Sequence, residues 1–146
     1  MHSVAVCALM IALGKQLRLG QDQIEEAGTG GLMHDLGKAF MPLKVLNKPG
    51  KLTELEYQII KSHPQKGYDV LHEQGSSSLA TKDIVLHHHE KIDGTGYPKG
   101  LTANEISELA RMSAICDVYD AITSNRPYKQ GWDPAASIKR MASWKG

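Results

Sequence analysis

Two clusters of residues in this chain carry ligand chemistry. His34-Asp35 sets an imidazole beside a carboxylate, and His87-His88-His89-Glu90 runs three imidazoles and an acid straight into the glycine-rich stretch Asp93-Gly94-Thr95-Gly96-Tyr97-Pro98. Imidazole nitrogen and carboxylate oxygen together suit divalent Fe, Mn, Ni or Zn. A His-Asp pair also arises by chance, so the dipeptide alone says little. The triple histidine is harder to place in a core, because a buried imidazole needs hydrogen-bond partners. Its interior position excludes an expression tag and leaves a solvated surface run as the bland alternative. Asp117 is the third piece, set among Met112, Ala114, Ile115, Val118, Ala121 and Ile122. A lone carboxylate on an apolar face costs several kcal/mol unless it is paired or binds a metal.

The elements that must position these groups are helical, and no convincing alternating strand is present. Val4 to Leu19 reads as one helix, stopped by Gly20. Asp22, with Glu25 in the first turn, is the expected cap of a second helix running to about Lys38. Neighbouring residues on a helix lie about 100° apart, so His34 and Asp35 can both reach a site at its edge. Gly28, Gly30 and Gly31 in that helix imply close helix–helix contact. Met41-Pro42 and Lys48-Pro49-Gly50 mark turns. Thr53 and Glu56 form a capping-box pattern opening a helix through Ile60, which Pro64 must break or kink just after His63. Short helices over 65–73 and 79–90 follow, then an irregular loop over 91–100. Thr102 and Glu105 repeat the capping-box signal ahead of a helix to about Ser124, and Asp133-Pro134 opens a last one.

The fold class expected is therefore all-α, a single domain spanning 1–146, with both ends looking cut rather than finished. With 17 Lys+Arg against 16 Asp+Glu the net charge is +1, which argues against a broad electrostatic platform for DNA, RNA or anionic lipid. No apolar stretch approaches the roughly 18 residues of a membrane span, and the run from Val4 to Leu13 lacks the flanks of a signal peptide. Cys7 and Cys116 are the only cysteines, too few for a disulfide framework, and a cytoplasmic setting is the default expectation. Cys116 beside Asp117 is read as a small hydrophobe.

Taken in order, His2, His34-Asp35, His63, His88-His89 and Asp117 resemble the HD superfamily of metal-dependent phosphohydrolases. Within it the chain resembles the HD-GYP family of bacterial cyclic di-GMP phosphodiesterases, through His34-Asp35-Leu36-Gly37-Lys38, the run from His88 to Pro98, and Arg126-Pro127-Tyr128-Lys129. The resemblance spans essentially the whole chain and implies an HD-domain helical bundle with a glycine-rich GYP loop. It implies metal ligands at His2, His34, Asp35, His63, His88, His89 and Asp117, with Asp35 bridging two divalent ions, Fe or Mn ahead of Ni or Zn. The resemblance likewise implies catalytic roles for Asp35 and Lys38, and substrate contacts for Lys38, Tyr97, Arg126 and Lys129. The implied substrate is cyclic di-GMP, opened to linear pGpG and cut further to GMP, in bacterial signalling alongside GGDEF, sensor or receiver domains. Members that hold three metals carry a glutamate one helical turn before the first histidine, a position that here would precede Met1. His72 and His87 match nothing in the pattern and are expected as surface or capping residues.

Counting ligands supports two ions separately from the resemblance. Two octahedral ions offer about 12 positions, of which seven side chains with one bridging carboxylate fill about 8, leaving room for phosphate oxygens. Residue types alone support a phosphoester hydrolase; the cyclic dinucleotide comes from the resemblance. Two other readings stand beside it: a catalytically weak cyclic-dinucleotide-binding or partner-docking module, and an enzyme for a different nucleotide or phosphomonoester.

Overall fold

Small residues on one face of the second helix set how closely the bundle packs. The computed structural model describes residues 1–124 and 131–144. In it α1 (His2–Gln16) and α2 (Gln21–Met33) run antiparallel, joined by a four-residue turn. A Cβ on Gly31 would stand 3.1 Å from the Cys7 Cα, and one on Gly30 would stand 2.4 Å from Ile84 Cδ1 in α6 (Leu79–His87). The α1 backbone therefore lies directly against α2 at Gly31, and the Ile84 side chain of α6 fills the space that Gly30 leaves open, in line with the glycine pattern. Val6, Met10, Ala27, Ile84, Met112 and Cys116 form the buried core, drawn from α1, α2, α6 and α7 (Glu108–Thr123).

The remaining elements hang from this core. A 3-10 helix (Leu36–Phe40) leads to the short α3 (Leu43–Leu46), α4 (Glu54–Lys61) and α5 (His63–Gln74), and α8 (Pro134–Ser143) closes against α7. Thr53 accepts from the Glu56 amide and opens α4, while Asp133 accepts from the Ala136 amide and opens α8. Among the described residues there is no strand, only a bridge between Asp93 and Thr102.

Several boundaries differ from the sequence reading, each for a local reason. The second helix stops at Met33, because the His34 ring takes the Gly31 carbonyl and the chain tightens into the 3-10 turn. Gly20, not Asp22, stands at its N-cap, and the Gln23 side chain reaches back to the Gly20 amide. The Thr102–Glu105 box forms but opens only a single turn (Ala103–Glu105); Ser107 then caps α7 afresh through the Ala110 amide. α6 ends at His87 instead of Glu90, and α3 occupies part of what reads as a turn region. The break before Pro64 falls at Ser62, with Pro64 in the first turn of α5, where a missing N–H costs nothing.

The tightest approach in the site region is at Gly37. A Cβ there would lie 1.8 Å from the His63 carbonyl oxygen and 2.8 Å from the Gly67 amide nitrogen, both backbone atoms that cannot swing away. This contact presses the segment after Asp35 onto the start of α5. Gly37→Ala is expected to destabilise the fold by about 3 kcal/mol, at the upper end of overpacking costs. Denaturant unfolding beside wild type checks this; an unchanged midpoint would contradict the packing.

Candidate metal centre

The last four carbonyls of an α-helix have no partner within it. Three histidines use that fact here. His34 Nδ1 donates to the Gly31 carbonyl at the end of α2 (2.6 Å), His63 Nδ1 to Ile60 at the end of α4 (2.7 Å), and His88 Nδ1 to Val85 at the end of α6 (2.9 Å). A carbonyl only accepts, so the proton lies on Nδ1 in each ring, and Nε2 is left to face inward. All three rings are buried, with exposures of 0%, 1% and 1%.

Their inward nitrogens converge. His63 Nε2 and His88 Nε2 are 3.3 Å apart, with Asp35 Oδ1 3.3 Å from the first and 3.7 Å from the second. In neutral rings these are two lone pairs aimed at each other and at a carboxylate oxygen, and Asp35 Oδ1 is buried without a hydrogen bond. That is the environment of a cation. His34 Nε2 is likewise buried without a well-aligned partner, although Asp35 Oδ2 and Asp117 Oδ1 lie 3.2 and 3.4 Å away. His2 reaches in from the first residue of α1, its Nε2 2.6 Å from Asp117 Oδ1 and 4.0 Å from Asp35 Oδ2.

The donors fall into two sets whose ligand atoms lie within 4.8 Å of one another: Asp35, His63, His88 and His89, and His2, His34 and Asp117. The structure thus brings together all seven residues expected as ligands, and Asp35 turns one oxygen toward each set. These unmatched buried atoms and the mixed N/O donor chemistry fit divalent metal. Lys38 sits in the 3-10 turn with its ammonium 3.1 Å from Asp35 Oδ2. Arg126 and Lys129 lie outside the described residues. His87 turns away to Asp83 (2.8 Å), and His72 stacks on Tyr68, so neither joins the cluster.

Electrostatics follow the same layout. Burial opposes charge on Asp35 and Asp117, yet the surrounding imidazoles hold both carboxyls far below the usual range. Burial also presses His34 toward neutrality, but Asp117 and Asp35 outweigh it and lift its pKa to about 10. The hydrogen bond to Asp117 raises His2 as well. His89, desolvated and beside His88, is pushed down to about 3 and stays neutral. Burial and Asp117 raise the Cys116 thiol to about 11, in keeping with a small hydrophobe rather than a thiolate.

The glycine loop is a built structure. Glu90, 4% exposed, accepts the Lys99 amide at 2.7 Å and the Leu101 amide at 2.9 Å, and the Tyr97 amide donates to the His89 carbonyl. Gly96 presses onto the 89–91 backbone, where a Cβ would meet the His89 oxygen at 2.4 Å. The Tyr97 ring consequently stacks on His89, centroids 4.8 Å apart and planes 20° from parallel. Burial, with Tyr57, Asp117 and Asp35 nearby, raises the Tyr97 phenol above its ordinary value, so it remains a donor.

Two supporting residues escaped the sequence reading. Asp120 receives His2 Nδ1 and fixes that ring; its signal is the three-residue spacing from Asp117 on one helix face. Glu90 was visible only as part of the motif, and its pairing with two loop amides is a tertiary fact.

A family model described as HD domain matches residues 2–146. The chain belongs to the HD domain family. A cyclic di-GMP phosphodiesterase of Pseudomonas aeruginosa is 58% identical over 146 residues, covering 100% of this chain and 35% of that protein. A cyclic di-GMP phosphodiesterase response regulator of Xanthomonas campestris is 38% identical over 135 residues, covering 92% of this chain and 36% of its own length. Among solved structures, an HD-GYP-type protein of Bdellovibrio bacteriovorus superposes with a TM-score of 0.79 at 27% identity, over 96% of this chain and 44% of that one. The chain thus spans about a third of the length of these curated relatives. HD-GYP membership, the all-helical fold and the HD-domain bundle stand as expected. Among the described residues no helix is long and apolar enough to cross a membrane.

Two predictions follow from this HD-domain geometry. Asp120→Ala frees the His2 ring and should weaken divalent-metal retention roughly 10- to 100-fold in chelator competition; unchanged retention contradicts the positioning role. A metal takes only the neutral imidazole, while the metal-free protein holds a proton on His34 up to about pH 10. Ion uptake at pH 7.5 should therefore expel about one proton or more per chain, and apparent affinity should fall as pH drops. Calorimetry in buffers of different ionisation enthalpy measures this, and zero release contradicts it.

Proposed function

We propose that this chain is a metal-dependent phosphodiesterase domain that opens cyclic di-GMP to linear pGpG, with further cleavage to GMP at the same site. The observation that carries the reading is the facing pair of His63 and His88 Nε2 atoms beside the unbonded Asp35 Oδ1. The names of the P. aeruginosa and X. campestris relatives support the substrate.

Asp35, His63, His88 and His89 would hold one divalent ion and His2, His34 and Asp117 the other, with the second Asp35 oxygen turned toward it. Fe and Mn suit this mixed N/O set best, with Ni and Zn as alternatives. When bound, such a pair of ions supplies Lewis acidity toward phosphate and lowers the pKa of water. The protein does the rest. Asp35 keeps the two donor sets in register, since one carboxylate spans both. Lys38, held on Asp35 Oδ2, would use its remaining N–H groups to bind a non-bridging phosphate oxygen. That contact strengthens as charge builds in the transition state. Tyr97, kept protonated and stacked on His89, offers a hydroxyl donor at the rim. Arg126 and Lys129 are assigned to further phosphate oxygens on the motif alone.

We place the activity in bacterial cytoplasmic signalling. The response-regulator name of the X. campestris relative supports receiver domains as partners, and GGDEF or other sensor domains belong to the same proposal. A module that binds without turnover is the competing reading, and one experiment separates the two. Protein reloaded with Mn²⁺ or Fe²⁺, metal content confirmed, is incubated with cyclic di-GMP. Linear pGpG should appear, chelation should abolish it, and Asp35→Asn should lower kcat by at least roughly two orders of magnitude. Bound but intact ligand would favour the binding module.

A further inference from the structure

The ammonium of Lys61, in the last turn of α4, lies 5.2 Å from the Tyr57 ring centroid and 5.2 Å from that of Tyr97. Tyr57 is one helical turn behind it on the same helix, whereas Tyr97 comes from the glycine loop and is itself stacked on His89. Among the described residues no carboxylate stands within ion-pair range of this ammonium. Lys38 and Lys48, by contrast, are paired with Asp35 and Glu56. Lys61 is thus a cation held over two aromatic faces, one ring away from a residue of the candidate metal centre.

Cation–π contact is a weak use of a lysine at a partly exposed site, and it leaves the ammonium hydrogens free. A charge-assisted bond to phosphate is stronger and can be added without losing the aromatic support. A cyclic dinucleotide carries two phosphates on one ring. The metal centre and Lys38 answer the phosphate that is cut; the other brings a second negative charge that must rest somewhere close by. The Tyr97 ring lies 4.8 Å from the His89 ring and 5.2 Å from the Lys61 ammonium, so the ammonium stands within about 10 Å of a residue of the metal centre, in reach of the same ring-shaped ligand.

Building on the proposed activity, we propose that Lys61 binds the uncut phosphate of the cyclic dinucleotide and so selects ring-shaped diesters over simple ones. Tyr57 and Tyr97 act with it as a cradle that fixes the ammonium at the rim. The contact is to phosphate, so it is indifferent to the base.

The test compares wild type, Lys61→Ala and Lys61→Arg on cyclic di-GMP, on cyclic di-AMP and on bis(p-nitrophenyl) phosphate, a diester with one phosphate. Lys61→Ala should raise KM for both cyclic dinucleotides about tenfold while leaving kcat near wild type, and Lys61→Arg should recover most of the loss. Activity on bis(p-nitrophenyl) phosphate should not change. Equal loss on all three substrates would reveal a structural role and overturn the proposal, as would unchanged KM values. Loss confined to the guanine substrate would assign Lys61 to the base and overturn it too. If wild type cuts bis(p-nitrophenyl) phosphate but neither cyclic dinucleotide, the substrate reading beneath the proposal fails, a result distinct from any failure of Lys61.

Discussion

The site depends on a hydrogen bond made three times, from an imidazole Nδ1–H to an orphan carbonyl at a helix end. That bond settles the tautomer, points Nε2 away from the helix axis, and caps the helix. Helices α2, α4 and α6 all end at one place, and His34, His63 and His88 sit at or just past those ends. Placement of these donor nitrogens and helix termination are consequently the same event. A neutral ring whose Nδ1 proton is committed outward presents a lone pair inward, and such nitrogens converging beside carboxylates create a demand for positive charge, which on His34 is met by a second proton when no metal is bound.

Bringing three helix ends together requires close backbone approach, which glycine supplies. Gly30 leaves room on α2 for the Ile84 side chain of α6, and Gly37 lets the turn after Asp35 meet the α4–α5 junction backbone to backbone. Without the second contact Asp35 would stand off from His63, and one carboxylate could no longer face both donor sets. The loop after His89 follows the same rule: Gly96 lies on the 89–91 backbone and Glu90 ties down the loop's return, so Tyr97 arrives flat on His89. Support, ligands and rim form one packed unit.

Residue type draws attention to His34, Asp35, His88, His89 and Asp117, whereas His2 and His63 enter the donor set only through the resemblance to the HD superfamily. A histidine beside an acid, a histidine run before a glycine loop, and an acid inside an apolar helix are each costly without a partner, and all but His87 of the run are found around one centre. Element boundaries near the site were less legible. The second helix reads as continuous to Lys38, since nothing local in Leu36 to Lys38 forbids a helix; its stop comes from the His34 side chain and the Gly37 contact, both tertiary. The Thr102–Glu105 pattern does form a capping box, but a cap shows where a helix starts and not how long it runs. Single charged residues on helices are ordinarily solvated, so Asp120 has only its spacing from Asp117 to mark it and Lys61 has nothing; distance to His2 and to Tyr97 is what distinguishes them.

The central claim is that two donor sets sharing Asp35 hold a pair of ions. Anomalous diffraction from metal-loaded crystals, with elemental analysis per chain, tests it most directly. The account predicts two peaks about 3.5–4 Å apart, one touching Asp35, His63, His88 and His89, the other Asp35, His2, His34 and Asp117. A single peak, or ions bound elsewhere while these nitrogens are bonded to water, would contradict it.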